Sequence, residues 1–213
     1  LEKLINDELY FGFVNTFDDE EKRQHYYKQY LKTGVDDTET WSLDGVLSSY
    51  LCVEFKKIKL LKELDIYPKC FETKEEWVKI LDEIVKGFEI ISSDVVVINE
   101  EQLDTISKSL ELFTTWFFNR NIKKFFKYSI DWNIDVAFAM YFIPRLKRYI
   151  ALVKKHKFYP GNLANHTQWL NMLKDILEGF ELIAKDEELD SKQELFVELS
   201  LKLFKEKFRD LWW

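Results

Sequence analysis

Glycine and proline are scarce: 6 and 3 in 213 residues. So few chain breakers leave little for the tight turns of a many-stranded fold and favour long helices. There are 2 cysteines, Cys52 and Cys70, without a C-x-x-C pair. That excludes a disulfide framework and matches a reducing compartment. The 3 histidines, His25, His156 and His166, are scattered and fit no metal-ligand spacing. No apolar run approaches the roughly 20 residues of a membrane-spanning helix. Excess positive charge is also missing: the formal net charge is -7, which argues against a general nucleic-acid-binding surface but leaves room for a local basic patch. Phosphate-cradling glycine loops and the G-x-S-x-G nucleophile turn are absent from the sequence. The chain opens at Leu1 without a methionine, which reads as a processed or trimmed start, and the acidic, polar residues that follow do not resemble a signal peptide.

Aromatic residues, in contrast, reach 16% and hydrophobic residues 46%, enough for a sizeable core. The order of these residues points to a duplication. Residues 41–66 align with 132–157 at an offset of 91: Trp41 with Trp132, Asp44 with Asp135, Tyr50 with Tyr141, Lys56 with Lys147 and Lys57 with Arg148. After one inserted residue, Tyr67-Pro68 meets Tyr159-Pro160, Trp77 meets Trp169, and Gly87-Phe88-Glu89 meets Gly179-Phe180-Glu181. Further on, residues 109–113 (SLELF) match 200–204 (SLKLF). A period near 91 is longer than the roughly 20–50 residues of a solenoid unit and fits two pseudo-symmetric halves.

Each half reads as three helices. The first covers about 43–64 and 134–156 and is apolar on most sides, as a central helix must be; Pro144 within the second copy should kink it. The second opens at a capping box with Thr73 as N-cap and Glu76 three residues on, and carries an apolar stripe from Trp77 to Ile91, repeated from Trp169 to Ile183. The third starts near Asn99 and near Ser191. Residues 95–98 (VVVI) read as a buried connector, and 117–128 as a further short helix between the halves. An N-terminal helix from about Asp19 to Lys32 ends at Gly34. The expectation is an all-α helical bundle of two pseudo-symmetric three-helix repeats plus an N-terminal helix. It forms one compact domain over 1–213, with an N-terminal segment 1–40, repeat 41–119, connector 120–131 and repeat 132–213.

Candidate binding positions follow from what both copies retain. Ser42 and Asn133 suit the N-caps of the first helices, with Asp44 and Asp135 in the first turn, where a carboxylate is stabilised by unpaired N–H groups. Trp41 and Trp132 can pack back as a staple. On a functional reading the same tryptophans, with Tyr50 and Tyr141, offer stacking surfaces and the aspartates offer acceptors in a pocket. Lys56, Lys57, Arg145, Lys147 and Arg148 are basic positions on otherwise apolar helices. They either snorkel to water or line an anion site between the halves. Glu89 and Glu181 border their stripes and either pair with Lys56 and Lys147 or accept hydrogen bonds at a cleft. Gly87 and Gly179 point to close helix–helix approach. Trp212-Trp213 would seal the core or a subunit contact. No catalytic residue, metal ligand or cofactor is assigned. The one enzymatic pattern, Glu178-x-x-Glu181, resembles half of the carboxylate set of all-α nucleotide pyrophosphohydrolases, but its first-half counterpart is Lys86.

The W-(S/N)-(L/I)-D motif, residues 141–149 (YFIPRLKRY), 159–163 (YPGNL), the G-F-E triplet and the terminal 211–213 (LWW) resemble a group of small uncharacterised bacteriophage proteins, over most of 132–213 and more faintly 41–119. The resemblance implies a phage-encoded protein acting in the host bacterial cytoplasm. The expected role is a non-enzymatic binding protein that interferes with a host defence system. It would do so by sequestering a small anionic, nucleotide-like signal or by occupying a host protein. The alternatives are a metal-dependent nucleotide hydrolase and a structural protein without a ligand. Neither general nucleic-acid binding nor membrane insertion is expected, and the oligomeric state is open.

Overall fold

A computed structural model describes residues 10–60, 67, 71–93, 97–118 and 134–212. The fold is all-α. Its described residues form seven α-helices: α1 (Glu20–Thr33), α2 (Leu43–Leu60), α3 (Lys74–Ser92), α4 (Glu100–Phe118), α5 (Ile134–His156), α6 (His166–Ala184) and α7 (Ser191–Lys207). Short 3-10 turns lie at Val14–Thr16, Asp37–Thr40 and Phe208–Asp210. No described helix is long and apolar enough to cross a membrane.

Local chemistry sets the helix boundaries. Asp19 caps α1 by accepting from the N–H groups of Glu21 and Lys22, and Gly34 ends it in the left-handed region at φ 74°, where a Cβ would be strained. Thr73 accepts from the Glu76 N–H at the start of α3. The Glu76 carboxylate reaches back to the N–H of Glu72 rather than of Thr73, so the box closes one residue earlier than its usual form. Asn99 and Gln102 exchange both arms of a capping box before α4. Before α7 the N-cap is Asp190, with Gln193 as its return arm, so that helix starts one residue ahead of the expected Ser191 box. Pro144 sits inside a continuous α5. Val97 is 78% exposed, which overturns a buried connector at that residue, while 94–96 and most of the segment between the halves lie outside the described residues.

Two compact units emerge, and they are not the two repeats. One comprises residues 1–46 and 139–213, the other 47–138. In the second unit α3 packs along α4. Its core is a chain of aromatic rings: Phe55 meets Phe113 and Phe117 edge-on, Phe88 meets Phe113 at 5.6 Å, and Phe138 meets Phe113 at 5.3 Å. Tyr50 lies against Phe138. In the first unit α6 packs along α7, and Phe142, Phe180, Phe204 and Phe208 form the equivalent ring chain at 4.8–5.4 Å. Trp77 and Trp169 are both buried. Large side chains buried in this way contribute roughly 1.5–3 kcal/mol each, and edge-to-face pairing adds to it.

The retained glycines have a matching role in both units. A Cβ on Gly87 would collide with the Ser109 hydroxyl and approach the Ser109 Cβ to 2.5 Å. On Gly179 it would collide with the Ser200 Cβ and come within 2.6 Å of the hydroxyl oxygen. Each serine hydroxyl donates across the crossing to the carbonyl four residues before the glycine, Ser109 to Glu83 at 2.6 Å and Ser200 to Asp175 at 2.9 Å. Helix propensity alone says that Gly→Ala in a helix interior gains about 1 kcal/mol. The crossing reverses the sign: Gly87→Ala and Gly179→Ala should each lose about 1–3 kcal/mol through overpacking. Urea denaturation reads the difference directly, and exchanging the pair (Gly87→Ala with Ser109→Gly) should recover part of the loss.

Candidate functional site

The sequence between α1 and α2 contains Asp36-Asp37-Thr38-Glu39-Thr40, three acids in five residues. Such a run ordinarily stays in water, yet Asp36, Thr38, Glu39 and Thr40 are fully buried. A capping box folds the run on itself. The Asp36 carboxylate accepts from the Thr38 N–H at 2.7 Å, and the Glu39 carboxylate accepts from the Asp36 N–H at 3.2 Å. Tyr10 donates its hydroxyl to the other Asp36 oxygen at 2.6 Å. Gln29 of α1 holds Asp37 at both ends, donating to the carboxylate and accepting from the backbone N–H, each at 3.1 Å.

Helix α5 supplies the counter-charge. Arg145 is 5% exposed. Its guanidinium donates to one Glu39 carboxylate oxygen through Nε at 2.9 Å and through a terminal nitrogen. The remaining terminal nitrogen donates to the Tyr141 carbonyl at 2.9 Å, and the guanidinium carbon lies 3.5 Å from the centre of the Tyr141 ring, a cation–π contact. One turn on, Arg148 pairs with Asp37. The first copy differs. Positions 145 and 148 align with Glu54 and Lys57, which satisfy each other at 2.9 Å within α2. The second copy carries two arginines and takes its acids from outside the repeat.

Burial pushes the Glu39 carboxyl up to about 7, with Asp36 raising it further and Arg145 opposing. Burial alone would also raise Asp37, but hydrogen bonds from Arg148 and Gln29 outweigh it and hold that carboxyl below its ordinary value. The Tyr10 hydroxyl is pushed well above its usual range by burial and then by Asp36.

A second cluster surrounds Asp44 of the first W-x-x-D motif. The Asp44 carboxylate accepts from the Gly45 N–H at 2.9 Å, from the Ser42 hydroxyl at 3.0 Å and from Arg209 at 2.7 Å. Ser42 thus uses its hydroxyl as a donor to Asp44, not as a helix cap. The Asp44 N–H donates to the Leu211 carbonyl at 3.2 Å, so the chain's last described residues satisfy the start of α2. Ser42 and Trp212 pair as an isolated antiparallel bridge, and the Tyr149 hydroxyl donates to the Trp212 carbonyl at 3.2 Å. Leu211 is fully buried while Trp212 is 59% exposed, so Leu211 and not Trp212 seals this end. Asp135, the counterpart of Asp44, is also buried; Trp132 and Trp213 lie outside the described residues.

Trp41 stands among the half-buried rings of Phe13, Phe17 and Tyr26 at 5.7–6.3 Å. Tyr50 is in the core. Lys56 pairs with Glu89 at 2.7 Å in one unit and Lys147 with Glu181 at 2.6 Å in the other; these are the paired alternatives read from the sequence. His166 contacts the Val153 carbonyl. Cys52 is a buried free thiol, pushed by burial to about 11. Cys70 lies outside the described residues. No group of three or more His, Cys, Asp or Glu is placed to hold a metal ion among the described residues. Glu181 is engaged by Lys147 and shares its surface with Lys174 and Lys185, a poor donor set for Mg²⁺.

Sequence reasoning picked out Arg145, Arg148 and Asp44 but missed their partners Glu39, Asp37 and Arg209. The D-x-x-E spacing of Asp36 and Glu39 is a capping-box signature and could have shown that this acidic run folds. Comparison of the chain with protein-family models, curated proteins and solved structures gave no match.

The two carboxyls predict opposite pH effects. Glu39, raised in the folded state, takes up its proton on folding, so its contribution to stability grows as pH falls from about 7 towards its ordinary value near 4.5. Asp37, lowered in the folded state, contributes above its ordinary 3.8 and loses that contribution as pH falls further. Denaturant midpoints between pH 8 and pH 5 should show the Glu39 effect, and Glu39→Gln should flatten the profile in that window.

Proposed function

We propose that the chain is a non-enzymatic binding protein that works by occupying the surface of another protein. The observation that carries this reading is the state of the basic side chains. Arg145, Arg148, Lys56, Lys57 and Lys147 are the basic positions that read as an anion site in the sequence, and each is paired with a carboxylate of the chain itself. Displacing Glu39 from Arg145 would leave a buried charge without its partner, at a cost of about 3–5 kcal/mol, which small-anion capture would have to overcome. A protein partner imposes no such requirement. The likeness to small phage proteins supports a bacterial host-defence component as the partner class and the host cytoplasm as the place of action.

The test is to mix purified chain with a panel of nucleotides and cyclic oligonucleotides, remove the protein, heat-denature it and analyse both fractions. Protein-surface binding predicts that every nucleotide stays in the free fraction, intact. Depletion followed by recovery of intact ligand would replace this reading with sequestration, and cleaved product would replace it with hydrolysis.

A further inference from the structure

The two copies of the first and second helices carry the same tie, Lys56–Glu89 and Lys147–Glu181, but their flanking surfaces differ. In the first copy Cys52 and Val85 are buried, and Lys59 of α2 pairs with Asp82 of α3. The corresponding residues of the second copy are Ile143, Leu177, Ile150 and Lys174. The Lys–Asp tie has become an isoleucine and a lysine. Ile143 and Leu177 are half-buried rather than buried, and Lys174 is exposed.

On the first unit this surface has an open hollow of about 750 Å³, lined by Ile143 and Lys147 of α5 and by Lys174, Leu177, Glu178, Glu181, Leu182, Ala184 and Lys185 on or just after α6. Lys174, Leu177, Glu178, Glu181, Leu182 and Lys185 follow the i, i+3, i+4, i+7, i+8, i+11 spacing of one helix face, with Lys185 the residue just after α6. Lys147 and Glu181 neutralise each other. Among the described residues Lys174, Glu178 and Lys185 make no ion pair with the rest of the chain. The face therefore presents an apolar floor with free charges in the order plus, minus, plus. The outer two stand eleven residues apart, about 16 Å at 1.5 Å per residue.

We infer that this face is a docking site for an amphipathic helical segment of a partner protein. The segment would carry apolar residues at i, i+3, i+4 and i+7, acidic residues at its two ends facing Lys174 and Lys185, and a basic residue between them facing Glu178. A small anion does not fit the pattern. The two free lysines are too far apart to share one, and the hollow is open along its length. Helix-in-groove recognition uses this combination, with apolar anchors for affinity and rim charges for register. The inference rests on the proposed protein-surface role and specifies its surface.

The test uses the full chain and two synthetic helical peptides of equal length and apolar content. One has acid–base–acid charges at the stated spacing and the other the reverse. Fluorescence anisotropy should show the first peptide binding more tightly. Lys174→Glu with Lys185→Glu changes two exposed side chains, and thermal unfolding checks that the fold is kept. The double variant should bind the first peptide about tenfold more weakly, from loss of two rim charges, and should prefer the reversed peptide. Equal binding of both peptides by the natural chain, no binding of either, or no change of preference in the double variant would each overturn the docking site. Binding that survives the double variant unchanged would leave the protein-surface role standing at another face, whereas nucleotide depletion in the earlier assay removes that role itself.

Discussion

The buried contact between Arg145 and Glu39 is the constraint on which much of the first unit rests. A guanidinium that is 5% exposed cannot remain there without an acceptor, since desolvating an unpaired charge is far costlier than any packing gain it could bring. Its acceptor comes from 106 residues earlier in the chain. Joining them places the segment between α1 and α2 on α5, and Asp36, Asp37, Tyr10 and Gln29 follow because each completes the hydrogen bonding of its neighbour. The same contact bears on function. A cation consumed inside the fold is not available to a ligand, and Arg145 is such a cation.

The duplicated sequence is used in two ways. Some positions make the same contact in both copies: the Gly–Ser crossings, the Lys–Glu ties and the ring chains around Phe113 and Phe204. Other positions have diverged in what they require. Glu54 and Lys57 satisfy each other, whereas their counterparts Arg145 and Arg148 need Glu39 and Asp37. Asp82 is tied down by Lys59, whereas its counterpart Lys174 makes no ion pair among the described residues.

The helices were legible because their signals are local. Trp77 to Ile91 and Trp169 to Ile183 keep helical spacing, and Thr73, Asn99 and Gly34 punctuate the chain with familiar capping chemistry. Glu89 and Glu181 were legible as ion-pair partners because both copies keep a lysine to match. The clusters were harder because their halves are far apart. Nothing near Asp44 signals Arg209, 165 residues away, and nothing near Arg145 signals Glu39. The aromatic setting of Trp41 was out of reach for a related reason: the rings of Phe13, Phe17 and Tyr26 lie upstream and reach it only once α1 has folded back.

A double-mutant cycle on Glu39 and Arg145 tests the central claim most directly. Equilibrium unfolding of the natural chain, Glu39→Gln, Arg145→Met and the double variant gives their coupling energy free of each side chain's separate packing. A buried, hydrogen-bonded pair predicts coupling above roughly 1.5 kcal/mol, with the double variant more stable than the sum of the single losses implies. Additive losses, with coupling close to zero as for an exposed surface pair, would contradict the account.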